Sequence, residues 1–274
     1  MFLDFFDEVY VINLKHRVDR RQRISEELNS HGIPFTIYEA IQDENGVKGL
    51  VLTMRKLLKE ILEKGQSNVI ILEDDASFLI TSPVAMLKQV IPQIPKTYHL
   101  LYLGLNLISR PIRMSENILK VTDCYSTHAI AYSRAGIQAV LKRLNDVPIT
   151  PYDQFMRKEI VSQYQSYCTF PMMATQCIGH SDIEHKEMDW GKLMAMTFQM
   201  HTKNLPYMAQ EIAQCVGAHK INGIEPAVDP EKFDIVQNQD LVGRDCDCGR
   251  FFYTEGRCQT CGGEKWKIIW EEKK

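Results

Sequence analysis

Val69-Ile70-Ile71-Leu72-Glu73-Asp74-Asp75 sets four aliphatic residues directly before three acids. An unbroken aliphatic run of this length predicts a strand buried on both faces, as in parallel sheets covered by helices. In open α/β sheets the ligand crevice lies beyond the carboxyl ends of the strands. The acids therefore fall where such a fold places its site. Mg²⁺ and Mn²⁺ prefer oxygen ligands, and Mg²⁺ is held by one or two carboxylates together with substrate phosphates. A plain solvated turn can also carry three acids, so both readings stand for the stretch by itself.

The neighbouring sequence extends the same pattern. Val9 to Leu14 predicts a buried strand, Lys15 to Leu28 a polar helix with Ile24 and Leu28 on one stripe, and Phe35 to Tyr38 a second strand. The chain thus opens β-α-β, which predicts a parallel sheet with covering helices. Downstream, Leu50 to Leu62 reads as a helix, Pro83 to Val90 as a short helix, and Leu100 to Gly104 as a strand. Beyond an irregular stretch come a strand at His128 to Tyr132 and a helix at Arg134 to Leu144. Tyr152 to Tyr164 and Trp190 to Val216 read as helical, with short strands near Tyr167 and Met172 between them.

The chain has 274 residues, 45% hydrophobic and 24% charged, with a formal charge of −3. That composition is globular, and the charge argues against a coat for nucleic acid or a basic membrane-surface protein. No apolar run reaches the roughly 20 residues needed to span a bilayer. The N-terminal stretch carries Asp4 and Asp7 where a secretory signal carries Lys or Arg. The expected location is cytoplasmic.

Four of the eight cysteines lie in the tail. Cys246-Asp247-Cys248-Gly249 and Cys258-Gln259-Thr260-Cys261-Gly262 are two cysteine pairs, each followed by glycine, with nine residues between them. Four thiolates at this spacing predict a closed structural Zn²⁺ site in a zinc ribbon. From Arg244 to Lys274 there are seven basic and six acidic residues, so the tail carries no strong electrostatic footprint for nucleic acid. A structural cap and a nucleic-acid or protein contact are both open for it.

Several blocks, taken in order, resemble glycosyltransferase family 25, which includes lipooligosaccharide and procollagen galactosyltransferases. They are Val11-Ile12-Asn13-Leu14 with Arg17, Asp19 and Arg20; Gly32 to Phe35 with Glu39-Ala40; Val69 to Phe78; Thr127 to Leu144; Pro151-Tyr152-Asp153; and Ser181 to His185. The likeness covers roughly the first two-thirds of the chain. It implies a GT-A fold, Rossmann-like and nucleotide-sugar-binding, over residues 1–189. A helical extension over 190–225 and the zinc-ribbon module over 226–274 would follow. One family element is missing: where Gly-Cys-x-x-Ser-His is usual, this chain has Gly49-Leu50-Val51-Leu52-Thr53-Met54.

The resemblance also implies roles. Asp74 and Asp75 are expected to hold Mn²⁺ or Mg²⁺, with His185 closing the metal shell. Asn13, Arg17, Arg20, Glu73, Thr127 and His128 are expected around the nucleotide sugar, a UDP-hexose-like donor. For Glu73 a structural hydrogen bond is an equal alternative, and for Arg20 a solvated helix face. Asp153 is expected to be the catalytic base of an inverting transfer, with a helix cap as the alternative. Cys246, Cys248, Cys258 and Cys261 would hold Zn²⁺. The acceptor is expected to be a glycan hydroxyl. Hydroxymethylated bases of viral DNA, a hydroxylysine-type protein, or a non-catalytic binding role are the competing readings.

Overall fold

A computed structural model describes residues 4–181, 186–203 and 205, together with two short strands at 233–235 and 270–272. His185 and the four tail cysteines lie outside the described residues, as does the stretch expected to be helical from 206 to 216.

The first half runs β1 (Glu8–Asn13), α1 (Val18–Ser30), β2 (Thr36–Glu39), α2 (Gly46–Glu63), β3 (Asn68–Glu73), β4 (Ala76–Phe78) and α3 (Pro83–Val90). Then come β5 (Leu100–Tyr102), β6 (Asn106–Leu107), β7 (Ile112–Arg113), β8 (Ile118–Lys120), β9 (Cys124–Tyr125) and β10 (Ala129–Ser133). The remainder is α4 (Arg134–Asp146), α5 (Tyr152–Phe155), a π-helical turn at Met156–Val161, β11 (Ser166–Thr169), β12 (Ala174–Gln176), β13 (Gly179–Ser181), β14 (Lys186–Met188) and α6 (Trp190–Thr202). The short strands β15 (Phe233–Ile235) and β16 (Trp270–Glu272) pair antiparallel.

Eight strands form one sheet in the order β2-β1-β3-β10-β5-β11-β8-β7. Its strands β1, β3, β5 and β10 are buried on both faces, as their aliphatic runs predict. Tyr10, Ile12, Val69 and Ile71 pack on one side with Val51, Leu57 and Ile61 of α2 and Ile137 and Val140 of α4. Val9, Val11, Ile70 and Leu72 pack on the other with Ile24 and Leu28 of α1 and Leu87 and Val90 of α3. Alternation of period two thus divides one strand between two helical layers. On α6, Met194 and Phe198 join the first of these cores.

Two expectations need correction. The α2 helix begins four residues before Leu50, because the Asn45 side chain accepts the Lys48 N–H and caps it. The sheet is mixed rather than parallel. β1 pairs parallel with β2 and β3, whereas β10 runs antiparallel to both β3 and β5. The stretch expected to be irregular holds β6 to β9, of two or three residues each, and it returns the chain to the edge of the sheet where β3 ends. β10 therefore starts where β3 stops.

Candidate active site

The sheet changes direction of travel at β1. From β1 the chain goes to β2 on one side and to β3 on the other, and all three are parallel. This is a topological switch point, the place where open α/β sheets put their ligand crevice. The two strands end on Asn13 and Glu73, and the acidic turn follows the second. Asn13 Nδ2 donates to Asp74 Oδ2 at 2.8 Å and to the Arg17 carbonyl at 3.1 Å, which ties the turn to the start of α1.

Helix α1 meets the turn with side chains three and four residues apart. Arg20 Nη1 donates to Asp74 Oδ1 at 2.8 Å and lies 3.6 Å from Asp75 Oδ2. Arg23 Nη2 donates to the carbonyls of Asp74 and Ala76. Glu27 Oε1 accepts from Phe78 N at 2.7 Å and Ser77 Oγ at 3.2 Å. The open alternative of a solvated helix face thus does not describe Arg20 or Arg23. Arg17 pairs with Asp19 through two hydrogen bonds of 3.1 and 2.9 Å.

The three acids differ in their surroundings. Both oxygens of Asp74 are engaged, by Arg20 and Asn13. Asp75 Oδ2 accepts from Gln176 Nε2 at 3.3 Å, while Asp75 Oδ1 is buried with no hydrogen-bond partner. Glu73 Oε1 accepts from Thr127 Oγ1 at 2.7 Å. Burial raises the pKa of all three carboxyls. For Glu73, burial and the nearby charges of Asp75, Asp74 and Asp153 push it to about 8, against the lowering effect of the Thr127 hydrogen bond. For Asp74, Arg20 and Asn13 oppose the rise.

Because β10 is antiparallel to β3, the residues that precede it reach the same edge. Thr127 meets the Glu73 side chain, and the Glu73 N–H donates to the His128 carbonyl at 2.8 Å. Ser126 makes the approach with φ +81°, a left-handed conformation that costs a non-glycine residue about 1–3 kcal/mol. The His128 ring is fully buried, and burial lowers its pKa to about 4. His128 thus reaches this edge through its backbone, and its ring offers no surface to a nucleotide, which corrects its expected role. Gly104 leaves room for that ring: a β-carbon there would lie 2.5 Å from His128 Nε2 and 2.1 Å from the Ala174 carbonyl oxygen.

Asp153 lies in the first turn of α5, two residues after the capping position, which Pro151 occupies. Its Oδ1 accepts the Gln154 N–H at 2.7 Å. Its charge acts on both Glu73 and Tyr102. The structure therefore brings Asn13, Arg20, Glu73, Asp74, Asp75 and Thr127 around one strand-end edge, with Asp153 on the helix whose Tyr152 meets Tyr132 of β10. Sequence reasoning missed Arg23, Gln176 and Gly104. Helical spacing from Arg20 could have found Arg23, while the other two carry no local signal.

Among the described residues, no three His, Cys, Asp or Glu side chains gather as a metal cage. A cation that shares its shell with phosphate needs only one or two carboxylates. The partnerless Asp75 oxygen is a donor of the right kind. No helix among the described residues is long and apolar enough to cross a membrane.

Comparison with known proteins bears on this edge. Residues 6–51 match the model of glycosyltransferase family 25 (LPS biosynthesis protein). The chain is 23% identical over 201 residues to procollagen galactosyltransferase 2 of Mus musculus, covering 59% of this chain and 32% of that one. It is 28% identical over 204 residues to procollagen galactosyltransferase 1-B of Xenopus laevis, covering 59% and 33%. The chain spans about a third of the length of these curated relatives. Among solved structures, a glycosyltransferase involved in glycosylation of the major capsid of PBCV-1 aligns with a TM-score of 0.40 at 10% identity, covering 59% of this chain and 80% of that one. UDP-glucose pyrophosphorylase complexed with UDP-glucose aligns with a TM-score of 0.39 at 10% identity, covering 72% and 81%. The segment that builds β1, α1, β2 and the start of α2, and with them Asn13, Arg17 and Arg20, is therefore similar in sequence to glycosyltransferase family 25.

Proposed function

We propose that this chain is a glycosyltransferase of the GT-A kind that takes a sugar from a nucleotide-sugar donor, UDP-hexose-like, and passes it to a hydroxyl acceptor. The observation that carries the reading is the partnerless, buried Oδ1 of Asp75 at the switch point. The match over residues 6–51 and the similarity to procollagen galactosyltransferases support it.

Asp75 would hold a divalent cation, Mn²⁺ or Mg²⁺, with the donor diphosphate completing the shell. Such a cation would offset negative charge on the departing nucleoside diphosphate. Asp74 fits a positioning role better than a ligand role, since Asn13 and Arg20 already occupy its oxygens. The acceptor oxygen would attack the anomeric carbon as the bond to the diphosphate oxygen breaks. The bonding pair leaves with the diphosphate, and Asp153 takes the hydroxyl proton. One displacement of this kind inverts the sugar carbon. Glycan, DNA and protein hydroxyls are the acceptor classes to compare, with the glycan preferred. Zn²⁺ in the cysteine tail is proposed from spacing alone, and metal analysis of Cys258→Ser would read it separately.

The test is hydrolysis and transfer with a panel of nucleotide sugars, with and without Mn²⁺. Turnover is expected for a UDP-hexose. Asp153→Asn should lower transfer by about 10²- to 10⁴-fold while donor binding persists. Asp75→Asn, checked for folding by circular dichroism, should remove the dependence on Mn²⁺ together with the activity. No turnover of any donor with either metal would overturn the reading.

A further inference from the structure

Arg157 makes a set of contacts that the proposed reaction does not itself require. Its Nε and Nη2 donate to the two oxygens of Asp123, the second at 2.7 Å. Its Nη1 donates to Tyr125 Oη at 2.6 Å, and its guanidinium carbon lies 4.6 Å from the centre of the Tyr125 ring. One planar fork thus holds two residues of a single loop, a geometry that an ammonium group cannot reproduce.

The two ends of this clamp lead to Asp153 on one side and, on the other, to Thr127, the partner of Glu73. Arg157 follows Asp153 by four residues, about one turn along α5 and the π-helical segment. Asp123 precedes Thr127 by four residues, and between them Tyr125 leads into the left-handed Ser126. Thr127 Oγ1 donates to Glu73, and the start of α5 is held against β10 by the Tyr152 and Tyr132 hydroxyls, 3.4 Å apart. The helix also widens to π geometry from Met156 onward, at the point where Arg157 leaves it. Such widened turns concentrate at functional sites.

We propose that Arg157 is a positioning residue: it staples the helix that carries Asp153 to the loop that carries Thr127, and so fixes the spacing of those two side chains. The inference rests on the reading of Asp153 as the base. A staple of this kind governs the chemical step more than donor capture, because the donor is proposed to bind at the switch point between β1 and β3, and neither of those strands touches Arg157 through any of the contacts above. Small displacements of a positioned base lower turnover steeply.

The test compares Arg157→Lys and Asp123→Asn with the wild-type chain. Each variant should lower kcat by roughly 10- to 100-fold with donor KM changed by less than about twofold. In a Thr127→Val background, Arg157→Lys should lose distinctly less than it does alone, since both act on one arrangement. Wild-type kcat in both variants, or full additivity with Thr127→Val, overturns the proposal. Amide exchange reads the staple without any turnover. In Arg157→Lys, residues 123–128 and 152–161 should lose protection together, by about tenfold, while β1 and β3 keep theirs. Unchanged protection overturns the staple. An inactive wild-type chain that nevertheless shows this paired loss would overturn the glycosyltransferase reading and leave the staple standing.

Discussion

Asn13 and Asp74 close the switch point with a single 2.8 Å hydrogen bond, from the last residue of β1 to the residue after β3. Both side chains are buried. Removing the donor leaves an acceptor of a buried carboxylate unmatched. Asn13→Ala is therefore expected to cost about 1–3 kcal/mol in urea denaturation. A loss within experimental error of zero would mean that water replaces the amide.

Arg20 holds Asp74 at 2.8 Å and lies within 4 Å of Asp75, with side-chain exposure of 17% for Arg20 and 10% for Asp74. Taking away one partner of so enclosed a pair leaves charge behind without compensation. Arg20→Ala is expected to destabilise the fold by about 3 kcal/mol. Arg20→Lys is expected to lose less, because the charge stays while the fork goes. Equal losses in the two variants would locate the effect in packing and not in charge.

Glu73 links stability to pH. Its folded pKa of about 8 lies above the usual 4.5, so the folded state holds the proton more tightly than the unfolded chain. Its contribution is therefore complete below about pH 4.5 and is lost as pH rises through 8. Asp74 and Asp75 are shifted in the same direction and add to the slope. In metal-free protein, urea midpoints should fall from pH 5 to pH 8.5. Glu73→Gln, which keeps an acceptor for Thr127, should flatten that fall. An unaltered slope in the variant would assign the pH dependence to other groups.

Gly104 passes the Ala174 carbonyl and the His128 ring too closely for any side chain. Gly104→Ala must move backbone on one side or the other, and a loss of about 3 kcal/mol is expected in thermal or urea unfolding. A stable variant would show that β12 can shift away from β5 without cost.

The aliphatic runs of β1 and β3 and the acids after Leu72 were legible in the sequence because each is a local pattern. The direction of β10 was not. Its apolar run has the composition of a parallel strand, and its direction depends on a path from 104 to 127 built of strands too short to show a period. For Arg20 the sequence leaves a nucleotide contact and a solvated helix face both open, and it does not mark Arg23, since nothing in α1 itself records that the acidic turn lies against it. The Arg157–Asp123 pair spans 34 residues, and only the fold brings the two together. In the tail the cysteine spacing remains the whole of the reading.

The antiparallel seat of β10 has a consequence for how the chain is made. The β2-β1-β3 unit is complete in the first 73 residues, yet β3 has no neighbour on its far side until β10 arrives. The Glu73 N–H waits about 55 residues for the His128 carbonyl. At ribosomal rates of about 5–20 residues per second this is an interval of roughly 3–11 s with an open, apolar strand edge. Nascent chains arrested shortly before Thr127 should therefore recruit chaperones or self-associate, and chains arrested well beyond Ser133 should not. The site edge thus stays open through this interval, and it is sealed by the same backbone contact that brings Thr127 to Glu73.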